Sequence, residues 1–185
     1  MCRPLTALAV ALLLAAPSIA QAQTGEALIK KLGASAPVPN PTFPADKALT
    51  YKIAWSVTAA PEKPDQLADG FRRPANFLYM TDTEGVPRAQ VHLAVIVYGP
   101  ATKSLMHAAA YKATTGVDNG SVALLEALDA AGVQVIVCGQ ALARLKITRE
   151  QLLPFVKVAT SASMARATSP AQIAASSPIR STRRM

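Results

Sequence analysis

Two hydrophobic rhythms alternate along this chain. Over Tyr51–Thr58 every second position is apolar (Tyr51, Ile53, Trp55, Val57), the period of a strand with one buried face. Pro61, Pro64, Gly70 and Pro74 mark a loop, and a helix is expected around Ala75–Thr81, stopped near Gly85 and Pro87. Val91–Tyr98 is an almost unbroken apolar run, as in a strand covered on both faces. Gly99 ends it, and Pro100 suits the first turn of a helix reaching about Tyr111. After a loop at Gly116–Gly120, Asp118 or Asn119 can cap a helix over Ser121–Ala131. Its inward stripe is Leu124, Leu125, Leu128 and Ala131, with Glu126 and Asp129 outward. Asn119-Gly120 also fits a hairpin turn, but the periodic run behind it favours the cap. Gly132 stands where a left-handed helix stop belongs. Val133–Cys138 is a second buried strand, Gly139 breaks it, and Gln140–Leu145 forms a short helix. Thr148 caps one more turn, Leu152 and Pro154 close it, and Val156–Ala159 is a last short strand. Strands alternating with helices predict a parallel sheet with right-handed crossovers. The expectation is one α/β domain of three layers, a mostly parallel sheet flanked by helices, over residues 49–167.

The flanks read differently. Residues 1–22 place Arg3 before the apolar run Leu5–Ala16 and end in Ala20-Gln21-Ala22, the pattern of a cleavable export signal. The run is shorter than the roughly 20 residues a membrane span needs. Cleavage near Ala22 implies a periplasmic protein with no membrane span left. Residues 23–48 form an arm or linker in which Pro37, Pro39, Pro41 and Pro44 favour extended geometry, after a turn or two of helix over Glu26–Leu32. Residues 168–185 are rich in Ser, Ala and Pro, end in arginines, and read as a disordered tail.

Charge alters this picture once it is located. The formal net charge of +8 suggests nucleic acid at first. Five basic residues and no acidic one follow Phe155 (Lys157, Arg166, Arg180, Arg183, Arg184), so the body between leader and tail is nearly neutral. No nucleic-acid partner is expected. Two cysteines exclude a disulfide scaffold and a multi-cysteine metal site. Cys2 leaves with the leader, and Cys138 remains as the single thiol of the mature chain. No phosphate-binding glycine loop is present, so no nucleotide cofactor is expected. No metal is expected either.

Ligands of open α/β sheets bind beyond the carboxyl ends of the strands. Cys138 ends one predicted strand and Gly99–Lys103 follows another. If the two strands are neighbours, the thiol faces the same crevice as Thr102 and Lys103. Lys103 would supply a cation, and the helix opening at Gln140 would supply N–H dipoles that favour a thiolate. The candidate set is Cys138 as the reacting group, with Gly99, Thr102, Lys103, Gly139 and Gln140 around it as an anion site. The opposing reading makes Cys138 a small buried hydrophobe. His92 begins its strand, about 20 Å from the carboxyl edge at about 3.3 Å per residue. His107 serves as a base only if its helix folds back over the crevice. No C-x-x-C pair is present for a dithiol mechanism.

Val91-His-Leu-Ala-Val-Ile-Val-Tyr-Gly-Pro-Ala-Thr-Lys103, Asp118-Asn119 and Leu128-Asp-Ala-Ala-Gly-Val-Gln-Val-Ile-Val-Cys-Gly-Gln140 resemble the DsrE/DsrF-like family, as does Leu153-Pro-Phe-Val-Lys-Val-Ala-Thr-Ser161 its exported members. The resemblance spans about Tyr51–Met164. It implies a parallel α/β fold, homo-oligomers, and sulfur relay through a persulfide, with Cys138 as the acceptor and a thiol or sulfur-donor protein as partner. Tyr98 stands where relatives often carry histidine, and the Ser-Pro and arginine-rich end replaces their closing segment. Two functions follow: a periplasmic sulfur carrier, or a non-catalytic binding and assembly module in which Cys138 is packing. Nucleic-acid binding through the tail ranks third.

Overall fold

The computed structural model describes residues 18–175, with side-chain environments over residues 25–168. Most of the expected leader (residues 1–17) and the arginine-rich end (176–185) lie outside the described residues. Four strands, β1 (Tyr51–Val57), β2 (Val91–Val97), β3 (Gln134–Cys138) and β4 (Lys157–Ala159), form one sheet in chain order, every pair parallel. The register aligns Val57 with Val97, Val97 with Val137, and Val137 with Val158. Between β1 and β2 runs α2 (Arg72–Thr83), and between β2 and β3 run α3 (Ala108–Thr115) and α4 (Val122–Ala130). A sheet that always advances in one direction through right-handed crossovers sends its connecting helices to the same face.

That face holds the main core. Strand alternation points Val57, Leu93, Val95, Val97, Val135 and Val137 into it, where they meet Phe71, Leu78, Leu124, Leu125 and Leu128. The inward stripe of α4 holds Leu124, Leu125 and Leu128 as its periodicity predicts, with Ala127 in addition; Ala131 is half-buried just past the helix, and Glu126 and Asp129 are exposed. Helix α1 (Ser18–Gly33) packs against α2 and α4, and Ile29 is 1% exposed in the same core. Part of the expected arm is therefore docked. Glu26 on α1 and Asp82 on α2 both pair with Arg88, at 3.5 and 2.8 Å.

The opposite face is covered by one helix, α6 (Ala162–Ala175), which packs across all four strands. Here Ala94, Ile96, Ile136 and Cys138 meet Ala141, Ala162 and Ala165. α6 continues beyond Ala167, where the sequence pattern places the end of the domain. The helix expected from Gly99 to Tyr111 is two pieces, a 3-10 helix over Gly99–Leu105 and then α3. The carbonyls that would extend it are taken: Asn119 Nδ2 donates to those of Ser104 and Met106, and the Leu153 N–H to that of Leu105. Instead Met106 bridges antiparallel to Leu152.

Candidate functional site

Because β2 and β3 are neighbours, the two segments that leave their carboxyl ends lie side by side. The 3-10 helix Gly99–Leu105 packs on α5 (Gly139–Leu145), which begins directly after β3. The condition on which the expected crevice depends, that the two strands are neighbours, is thus met. Gly99 makes the turn at φ +62°, a left-handed conformation suited to glycine. The Thr58 carbonyl then accepts the Ala101 N–H at 3.0 Å, fixing the start of the 3-10 helix to the end of β1.

Cys138 is the N-cap residue of α5, without a side-chain capping bond, and its residue surface is 6% exposed. It pairs with Ala159 of β4, and the β2 register continued by one residue sets Tyr98 level with it on the other side. All three belong to the small cluster beneath α6, so the thiol faces that helix. Ala162 and Ala165 of α6 and Ala141 of α5 close over it. Gly139 is required for space and not for its dihedral angles, since a Cβ there would lie 2.9 Å from the Ala159 carbonyl oxygen.

The other expected residues divide by environment. Thr102 is fully enclosed and its Oγ1 has no hydrogen-bond partner, as is Ser104 Oγ two residues on. Lys103 and Gln140 are exposed. Lys103 joins none of the ion pairs found among the described residues. His107 is the N-cap of α3, where its Nδ1 accepts the Ala110 N–H at 3.3 Å. That bond uses the lone pair a general base would need. His92 begins β2, at the opposite end of the strand from the crevice.

One contributor was missed by the sequence reading and a second was read only as a helix cap. Arg166 on α6 holds its guanidinium 6.0 Å from the centre of the Tyr98 ring, a cation–π contact on the thiol's side of the sheet. Nothing in the pattern of the sequence singles it out from the other basic residues. Asn119 is no simple helix cap. Its Oδ1 accepts the Ser121 N–H at 3.0 Å while Nδ2 donates to Ser104 and Met106, each at 2.9 Å. It thereby ties α4 to the 3-10 helix that borders the site. Displaced titrations occur elsewhere. Burial raises the Tyr111 phenol and the Asp129 carboxyl, and hydrogen bonds from its own backbone and Thr148 lower Glu150.

The profile of the DsrE/DsrF-like family matches residues 51–172, which takes in every strand and the thiol. The chain belongs to the DsrE/DsrF-like family. No curated protein matches it. The family match begins at the first residue of β1 and leaves out α1 and the proline-rich segment after it. Among the described residues no helix is long and apolar enough to cross a membrane.

Proposed function

We propose that this DsrE/DsrF-like protein is an exported sulfur carrier whose Cys138 accepts sulfane sulfur and hands it to a second thiol. The placement of Cys138 carries the reading: the mature chain's one thiol ends the inner strand β3, beside the segment that leaves β2. In the loading step the Cys138 thiolate attacks a sulfane sulfur of a polysulfide. A new S–S bond forms on Cys138, the donor's S–S bond breaks, and its electron pair leaves with the shortened polysulfide anion. In the unloading step an acceptor thiolate attacks the outer sulfur, becomes the persulfide, and releases the Cys138 thiolate. Lys103 and the amides of Gly139 and Gln140 steady the anionic sulfur, and Thr102 offers a hydroxyl with no other partner. Partner proteins bearing thiols or sulfane sulfur, homo-oligomeric assembly and a periplasmic location belong to the same proposal.

Intact-mass measurement after polysulfide treatment tests it. The expected result is an adduct of whole sulfur atoms that passes to an added thiol and is absent from Cys138→Ser. A folded protein that gains no sulfur would sink the carrier reading. The binding and assembly module would then lead, and the observation in its favour is the 6% exposure of Cys138 among alanines.

A further inference from the structure

A second candidate site lies away from the thiol, where the segment after α1 arches over the outer side of α2. The arch is pinned at both feet. Asn76 Nδ2 of α2 donates to the Gly33 carbonyl at 2.8 Å, and at the other end the Asp46 N–H donates to Tyr51 Oη at 2.9 Å. Between these ties the proline-rich stretch leaves a groove of about 550 Å3, within the size range of small-molecule sites. Its walls include Val38, Phe43, Leu49, Phe77 and Met80. Of the seven large apolar side chains exposed among the described residues, four (Val38, Phe43, Leu49, Met80) line this groove, and Phe43 is 95% exposed. Such clustering on one rim is the signature of an unfilled binding surface.

Charge selects the occupant. The only ionisable side chains that line the groove, apart from its tyrosines, are Asp46 and Glu84, and Glu84 caps the carboxyl end of α2, where the helix dipole adds negative potential. A methyl group on neighbouring Gly85 would lie 3.4 Å from Lys47 Nζ, so a tethered ammonium already rests beside that helix end. We propose that the groove binds a small amphiphilic cation, an alkyl or aryl group in the apolar trough with its positive head at Glu84 and Asp46. The arch wall precedes residue 51, so the groove is an addition to the part of the chain that the family profile covers.

Trp55, the one tryptophan, holds its ring 5.7 Å from that of Phe77 at a tilt of 60° and reports on the trough by fluorescence. The purified protein is titrated with decyltrimethylammonium and, separately, decyl sulfate, both below micelle formation, with the melting temperature recorded in parallel. Expected are saturable binding of the cation, a raised melting temperature, and about tenfold weaker binding of the anion, since two rim charges are each worth a few-fold. Asp46→Asn with Glu84→Gln removes that preference. Phe43→Ala, at a site too exposed to disturb folding, weakens both probes. Equal binding of the two head groups, no saturable binding, or a double variant that keeps the preference overturns the proposal.

Discussion

The two faces of the sheet are built from different materials. One buries Phe71, Leu78, Leu93, Leu124, Leu125, Leu128 and Ile29 under α1, α2 and α4, with Tyr111 of α3 in the same cluster. The other carries Ala94, Ile96, Ile136 and Cys138 under α6, whose buried contacts are Ala162 and Ala165, together with Ala141 of α5. Stabilisation scales with apolar area removed from water, so the first face supplies most of it. The second face buries smaller side chains under its helix, and there the thiol sits. A thiol beneath a cover that opens locally is both protected and reachable, because local opening costs far less than global unfolding.

The most damaging change tests the division directly. Leu128→Ala removes a fully buried side chain from the thick face and should cost about 3–5 kcal/mol in denaturant unfolding. Ile136→Ala, among the alanines of the thin face, should fall at the low end of the range for such truncations, about 2 kcal/mol. Equal losses would show that α6 is as firmly packed as the rest. Asn119→Ala comes next, at about 2–3 kcal/mol, because it strips partners from the Ser104 and Met106 carbonyls and from the Ser121 amide. Its second expected effect is slower sulfur loading, since the 3-10 helix beside Cys138 loses its tie to α4.

Most of the thick face could be read from sequence, and most of the thin face could not. Large residues at strand or helix spacing announce themselves, and β1, β2, β3 and α4 lie within a residue or two of their expected limits. Thr148 caps its turn as expected, in a box with Gln151. α6 gives no such signal: its contacts are alanines, and Ser169-Pro170 suggests a break where the helix continues to Ala175. The split of the expected Gly99–Tyr111 helix was equally hidden. It depends on Asn119 and Leu153 reaching its carbonyls from distant positions in the chain. For the site, the place of Cys138 at a strand end was legible, whereas the adjacency of that strand to β2 entered only as a condition and the direction the thiol faces depends on what covers each side.

Tyr111 offers a smaller test on the thick face. Its hydroxyl donates to the Pro64 carbonyl at 2.6 Å, and Tyr111→Phe should cost about 1 kcal/mol. Burial, and then the negative charge of Asp65, raise its pKa above the ordinary 10.0. A raised value in the folded state means that the protonated phenol's contribution is fully present below pH 10.0 and is lost as pH rises through the folded value. The gap between wild type and Tyr111→Phe in urea unfolding should therefore hold from neutral pH to about 10 and close above it. A gap that does not narrow on the alkaline side would mean that the phenol titrates alike in both states.

A change of similarly small cost bears most directly on the thiol. Ala165→Gly removes a methyl group from the cover of Cys138 and lowers helix propensity, for a loss of about 1 kcal/mol. If Cys138 is reached by local detachment of α6, that loss multiplies the open population, and with it the alkylation rate, by about fivefold. Leu128→Ala provides the control. It destabilises the whole fold far more but leaves the alanine cluster intact, so the alkylation rate should barely move if the route is local. If instead the thiol is exposed only by global unfolding, Leu128→Ala should accelerate alkylation more than a hundredfold, far beyond the roughly fivefold of Ala165→Gly. The order of the two rates therefore separates a thiol sheltered by a movable helix from one locked into the core.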